Sequence, residues 1–232
     1  MAWAYVWAML AWALIPGVKR KGKLIVPAIL LLGILPDGDL LLGNLGAVHR
    51  TFTHSFFFWI IIFVPLFIIF RLKSVPYFVA VVQHFAFGDL LMGKVMIFWP
   101  FSSAQVGLGF AMPSLIDVTL ELTGLILALA IIIYSKDLKR LFSVDKNNIL
   151  MLLPLLAIVT SALFFARHWS SINSLISYIL SSNLLIALAI GHIILLTFIT
   201  ISAIQGLRAL RPKTNSTTQK NDPKKFNPKN TL

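Results

Sequence analysis

Three acids and three histidines stand in short groups between residues 37 and 89: Asp37 with Asp39, His49 with His54, and His84 with Asp89. Carboxylates and neutral imidazoles without sulfur suit one or two divalent cations, and Zn, Mn, Mg and Fe all accept such donors. The run Leu35-Pro36-Asp37-Gly38-Asp39 sets two carboxylates two residues apart around a glycine, directly after an apolar stretch, so that both could address one ion. The run His49-Arg50-Thr51-Phe52-Thr53-His54-Ser55 precedes the aromatic start Phe56-Phe57-Phe58-Trp59, with Thr53 or Ser55 placed to cap the helix that follows. His84 and Asp89 lie five residues apart, about 140° around an ideal helix, so they share a face only if Gly88 allows a bulge or break. Each group alone also reads as solvated acids, a capped helix start or a polar contact between helices. Their convergence is what favours a metal site.

Around these six candidate ligands, other residues have chemistry to offer. Arg50, a planar bidentate donor, is placed to hold a phosphate or carboxylate, and Lys94 to stabilise developing negative charge. Asp39, if it does not coordinate, becomes a general base for water activated by the cation. Asp117 and Glu121, one turn apart, could orient ligands or pair with Arg50 or Lys94. His168 and His192 fall outside the set, the second as a helix-to-helix hydrogen-bonding group. Ser55 has no nucleophile elbow around it and is not read as a nucleophile. With no cysteine in the chain, a disulfide framework, a thiolate site and a Cys nucleophile are excluded.

The elements that must position these groups are membrane helices. In 232 residues, 58% are hydrophobic and 12% charged, with a mean hydropathy of +0.88, a composition that no water-facing globule has. Apolar stretches at about 2–16, 24–36, 55–70, 76–99, 117–134, 147–166 and 183–206 predict an all-α polytopic bundle of about seven transmembrane or half-membrane helices. The first two are short, and the first, with no basic segment ahead of it, reads as a retained helix and not a signal peptide. Pro65 and Pro154 fall within predicted helices, where kinks are expected. Residues 1–206 form the helical domain and 207–232 a disordered basic tail. Residues 167–182 read as an outer loop, with Trp169, Ile172, Ile176 and Ile179 at helical spacing for an interfacial helix.

Twenty Lys and Arg against eight acids give a net charge of +12. The basic residues cluster at 19–23, 71–73, 136–146 and in the tail, which orients the tail to the cytoplasm and leaves Arg50, Lys94 and Arg167 toward the other side. The six candidate ligands then lie toward the extracytoplasmic side. The tail carries one aromatic residue, Phe226, and so suits anionic lipid and no nucleic acid. The patterns carry no signal for an oligomeric state.

In order and spacing, the blocks Leu35 to Asp39, His49 to Ser55, His84 to Asp89 and Trp99-Pro100-Phe101-Ser102 resemble the LexA-regulated inner-membrane family of predicted membrane-bound metal-dependent hydrolases. The resemblance covers residues 33–103, about 30% of the chain. It implies a metal-dependent hydrolase acting on a phosphoester of a lipid or lipid-linked substrate. The chain departs from the family pattern in having no histidine in Met1 to Pro16, Leu40-Leu41 where relatives carry a His-Pro pair, and a His-to-Asp step of five. The competing reading is a non-catalytic membrane protein, a divalent-cation transporter or a helical scaffold, since intramembrane acids and histidines also mark ion paths.

Overall fold

A computed structural model describes residues 1–16, 23–45, 49–110, 114–166, 178–179 and 181–211. Among the described residues the α-helices with defined bounds are, in chain order, α1 (Ala2–Leu14), α2 (Val26–Leu32), α3 (Phe56–Phe70), α4 (Val75–Gln83), α5 (Leu90–Met92), α6 (Leu115–Tyr134), α7 (Asp137–Leu141), α8 (Leu152–Ala166) and α9 (Asn183–Ala209). Tighter 3-10 turns occupy Leu35–Leu45, Phe52–His54, Arg71–Ser74 and Lys146–Met151, and a wider π-helical turn occupies His84–Asp89. Among the described residues the only β pairing is an isolated bridge between Val95 and Val106.

Three helical runs are long and apolar enough to cross a membrane: Phe56–Met92, Leu115–Tyr134 and Asn183–Ala209. The first is a hairpin. Arg71, at φ 53°, reverses the chain, and Phe78 of α4 packs its ring 5.9 Å from Phe56 and 5.2 Å from Phe63 of α3. Side chains such as Ile61, Ile68 and Ile69 of α3 project outward, as an apolar surface facing lipid should. The remaining apolar stretches are shorter than the seven-span reading expects. α2 is only 7 residues long and ends at Gly33, and Pro36 lacks the N–H that a continuing α-helix would donate to the Leu32 carbonyl, so the chain goes on as a 3-10 turn. The fourth stretch ends at Met92 and not at residue 99, where Gly93 turns extended. In the sixth, Pro154 sits in the first turn of α8, where a missing N–H breaks no helical bond and no kink is required. Pro65 lies inside α3, which continues past it to Phe70. The last helix continues to Ala209, so 207–209 are helical and not tail; residues 212–232, and 167–177 and 180 of the stretch 167–182 where an interfacial helix is expected, lie outside the described residues.

α1 is the hub. Its small residues Ala4 and Ala8, one turn apart, let neighbours approach closely, and a side chain at Gly33 would meet the Ala4 Cβ at 2.4 Å. The main core gathers Tyr5 of α1, Ile29 of α2, Ala80 of α4, Ile132 of α6, Leu141 of α7 and Ile199 of α9. A second, aromatic core of Trp59, Phe63, Val81 and Phe85 fills the hairpin. Near the C-terminal end of α6 the buried Asp137 accepts from the Tyr5 hydroxyl at 2.9 Å and from Arg140 at 2.8 Å, while Arg140 also donates to the Leu24 carbonyl. This clasp joins α1, α7 and the chain leading into α2. Tyr5→Phe removes a donor to a buried charge and should cost about 1.5–3 kcal/mol. A thermal unfolding midpoint in detergent equal to that of the unaltered protein would show that the clasp carries no such weight.

Candidate metal centre

The 3-10 turn after α2 presents Asp37 and Asp39, two residues apart, on different sides of a tight helix of about three residues per turn. Both carboxylates reach the same imidazole from opposite edges. Asp37 Oδ1 lies 3.6 Å from His54 Nε2, and Asp39 Oδ2 lies 3.5 Å from His54 Nδ1. His54 itself closes the short turn Phe52–His54 and is fully buried. Ser55 occupies the N-cap position of α3, but neither its side chain nor that of Thr53 makes a capping hydrogen bond. The Thr53 hydroxyl donates to Asp39 Oδ2 at 2.6 Å, and the Ser55 hydroxyl donates to the Trp99 carbonyl. The Trp59 indole donates back to the Thr53 carbonyl at 2.6 Å and fastens the turn to α3.

His84 and Asp89 meet because the helix is not an α-helix between them. The π turn holds more residues per turn than the α-helix, so a step of five, which would diverge by about 140° in ideal geometry, returns to the same face. His84 Nε2 lies 3.5 Å from Asp89 Oδ2 and 3.2 Å from Asp37 Oδ1. The Gly33 carbonyl is 2.9 Å from His84 Nδ1, which fixes the proton there and leaves Nε2 free to donate a lone pair. Asp89 Oδ2 also stands 3.1 Å from His54 Nε2. Asp37, His54 and His84 thus form a group whose ligand atoms all lie within 4.8 Å of one another, and Asp89 adjoins it.

His49 belongs to a different contact. Its Nδ1 is 2.8 Å from Asp39 Oδ1, whereas its Nε2 stays 4.0 Å from Asp37 Oδ1. Asp39, His49 and His54 make up a second group within the same 4.8 Å limit. Asp39 is fully buried with both oxygens engaged, by His49 on one side and by Thr53 and the Arg50 N–H at 3.2 Å on the other.

Arg50 adopts a left-handed backbone, φ 65°, and sends its guanidinium to Asp89 Oδ1 at 3.1 Å. A side chain on Gly93 would come within 2.0 Å of Arg50 Nη1, so the glycine makes room for this ion pair. Lys94 is exposed, and no hydrogen bond or ion pair joins it to the six candidate ligands. Asp117 and Glu121 do not pair with Arg50 or Lys94. The Asp117 backbone N–H donates to the Ser114 hydroxyl oxygen at the start of α6, and Glu121 faces His192 at 3.9 Å. His168 lies outside the described residues.

The electrostatics ask for positive charge. Burial works to raise Asp37 and Asp39, but the facing histidines outweigh it and hold both carboxyls well below the usual carboxylate range. Burial works to lower His54, yet the carboxylates of Asp37, Asp39 and Asp89 push it up to about 10. A proton on His54 answers that field in the absence of a metal ion, and a divalent cation would displace it. Two atoms bear on the fit. His54 Nε2 and Asp89 Oδ2 are buried and make no hydrogen bond among the described residues, although they face each other. Buried polar atoms left in this way are costly unless something else engages them. A cation accepting lone pairs from Asp37, His54, His84 and Asp89 fits this donor set.

Thr53 and the Gly33 carbonyl are the contributors that residue types alone did not single out. Thr53 could have been found from its place beside His54, since a hydroxyl next to an imidazole is available to a carboxylate as readily as to a helix start. Nothing in the sequence marks a particular carbonyl.

A family model described as YdjM inner membrane protein matches residues 4–170, a span that includes every residue of this centre. No curated protein and no solved structure matches the chain.

Proposed function

Since the chain belongs to the YdjM inner membrane protein family, we propose that it is a membrane-embedded, metal-dependent hydrolase acting on a phosphoester of a lipid or lipid-linked substrate. The observation that carries the reading is the convergence of buried His54 Nε2 and Asp89 Oδ2, 3.1 Å apart with neither making a hydrogen bond, on Asp37 and His84. Asp37, His54, His84 and Asp89 would hold the ion. When bound, a divalent cation supplies Lewis acidity and a water activated at neutral pH.

Every other part of the work falls to side chains. His49 is the general base in this reading: Asp39 at its Nδ1 fixes the tautomer, and Nε2 looks into the site from a side chain that is 34% exposed. In this reading Asp39 orients His49 and His54, and the ion is held by the group around Asp37. Arg50 holds Asp89 in place and brings positive charge to the edge of the centre, where a phosphate oxygen of the substrate would add a second partner. Asp37, with 40% of its side chain accessible, marks the open side by which substrate enters. Lys94 is exposed and lies outside the contacts of the centre, so this reading gives it no part.

By the distribution of basic residues, the tail is cytoplasmic and the centre extracytoplasmic, in a polytopic bundle to which α1, α2 and α8 contribute part-membrane helices. The test is release of headgroup from phospholipid vesicles holding the purified protein, with divalent ion titrated in and then chelated. Asp37→Asn should reduce release to background. An unaltered protein that binds the ion at stoichiometry yet hydrolyses no phosphoester would overturn the hydrolase reading and leave the metal centre standing.

A further inference from the structure

The stretch from Gly93 to Phe110 contains aromatic and aliphatic residues, one lysine, a polar tip and no acid. It is irregular in path but firmly tied. Val95 and Val106 exchange hydrogen bonds at 2.9 and 3.0 Å, Met96 N–H donates to the Arg50 carbonyl, and Phe56 N–H donates to the Ile97 carbonyl. Further on, the N–H groups of Leu108 and Phe110 donate to the carbonyls of Leu90 and Leu91. These ties fix the backbone while leaving large apolar side chains outside: Phe98 is 50% exposed, Phe101 78% and Leu108 66%. A fixed loop that displays large aromatic and aliphatic side chains outward favours an apolar partner, because removing such surface from water is favourable.

The loop is continuous with the lipid-facing surface of the hairpin. Phe101 packs edge-on against Phe57 of α3 at 4.8 Å, and Trp99 lies 6.2 Å from Phe52, which itself packs on Phe58 at 5.5 Å. The five rings make a collar around the first turn of α3, where His54 enters the metal centre. Past the collar the loop turns polar at Ser102, Ser103 and Gln105, and Lys94 stands exposed at its base. Aromatic rings between an apolar helix surface and a polar, cationic margin form the arrangement found at the boundary of headgroups and acyl chains.

We propose that Phe98, Trp99, Phe101 and Leu108 are an interfacial anchor that inserts into the bilayer at the headgroup boundary and sets the depth of the metal centre beside it. The occupant of this surface is membrane lipid. A substrate whose reacting group lies at headgroup level would then meet the centre without leaving the bilayer. This placement depends on the exposed collar alone and stands whether or not the centre is hydrolytic.

The chain's lack of cysteine gives a clean test. Phe101→Cys and, separately, Ser103→Cys carry an environment-sensitive fluorophore in vesicles of phosphatidylethanolamine and phosphatidylglycerol. The label at 101 should emit at shorter wavelength, be quenched by lipids spin-labelled high in the acyl chain, and be quenched several-fold less by aqueous iodide than the label at 103. Leu108→Cys repeats the measurement from the far strand of the loop, should the first variant fold poorly. Equal iodide quenching at 101 and 103 overturns the anchor. So does shielding at 101 without quenching by the labelled lipids, which would mean that protein, such as a second copy of this chain, covers the collar.

Discussion

His54→Ala should purify without bound metal and without turnover. The imidazole is fully buried, faces three carboxylates and supplies the central nitrogen of the centre. Truncation removes a ligand and leaves a hole lined by Asp37, Asp39 and Asp89, whose like charges repel at close range. The remaining donors, Asp37, His84 and Asp89, would have to hold the ion while the field that attracted it relaxes by protonation of a carboxylate. Elemental analysis of the purified variant beside the unaltered protein reads the first part, and headgroup release reads the second. Metal retained at full stoichiometry in His54→Ala would sink the assignment of this centre, since no arrangement of the other donors uses the space that the imidazole fills.

The helical, membrane-embedded character of the chain was legible in composition, because a polypeptide with so few charges has to satisfy its backbone inside its own helices. The lengths of the helices were less so. Hydropathy does not distinguish α2 from a longer span, since the residues after Leu32 remain apolar; Pro36 and the tight turn at Leu35 decide where it stops. The hairpin at Arg71 was visible as a cationic break between two apolar stretches. At the site, residue types and order identified the groups that meet, and the five-residue step from His84 to Asp89 correctly demanded a departure from α geometry, which the π turn supplies. What spacing did not resolve was the division of labour. Asp37 and Asp39 look equivalent in Pro-Asp-Gly-Asp, yet the turn sends one to the Nε2 side of His54 and the other to the Nδ1 side, and the proposed reading gives the first to the ion and the second to orienting the imidazoles. Likewise His49 and His54 look like a pair of ligands, and only the distances separate a nitrogen at 4.0 Å from Asp37 from one at 3.6 Å with a second carboxylate at 3.1 Å. Arg50 was expected to wait for substrate, whereas its ion pair with Asp89 is already made.

That division predicts a second large effect of a different kind. Asp39→Asn keeps the size of the side chain and removes its charge, so the protein should retain a stoichiometric ion while losing most of its turnover. The amide can still accept the Thr53 hydroxyl, so the turn that holds His54 should survive, and metal affinity should fall by about 10–100-fold, the usual cost of altering a group that orients a ligand. Turnover suffers more. An amide nitrogen opposite His49 Nδ1 would donate where the carboxylate accepts, which favours the tautomer with its proton on Nε2 and removes the base from the site. General acid–base catalysis contributes about 10²–10⁴-fold, and a loss of that order in kcat at saturating metal is the expected reading. His49→Gln should show the same separation, with metal retained and kcat lost. The two variants also distinguish orientation from coordination: if Asp39→Asn loses the ion as completely as His54→Ala does, Asp39 binds the metal directly. In that event the carboxylate assigned here to the imidazoles would have to turn its Oδ1 away from His49 and toward the cation.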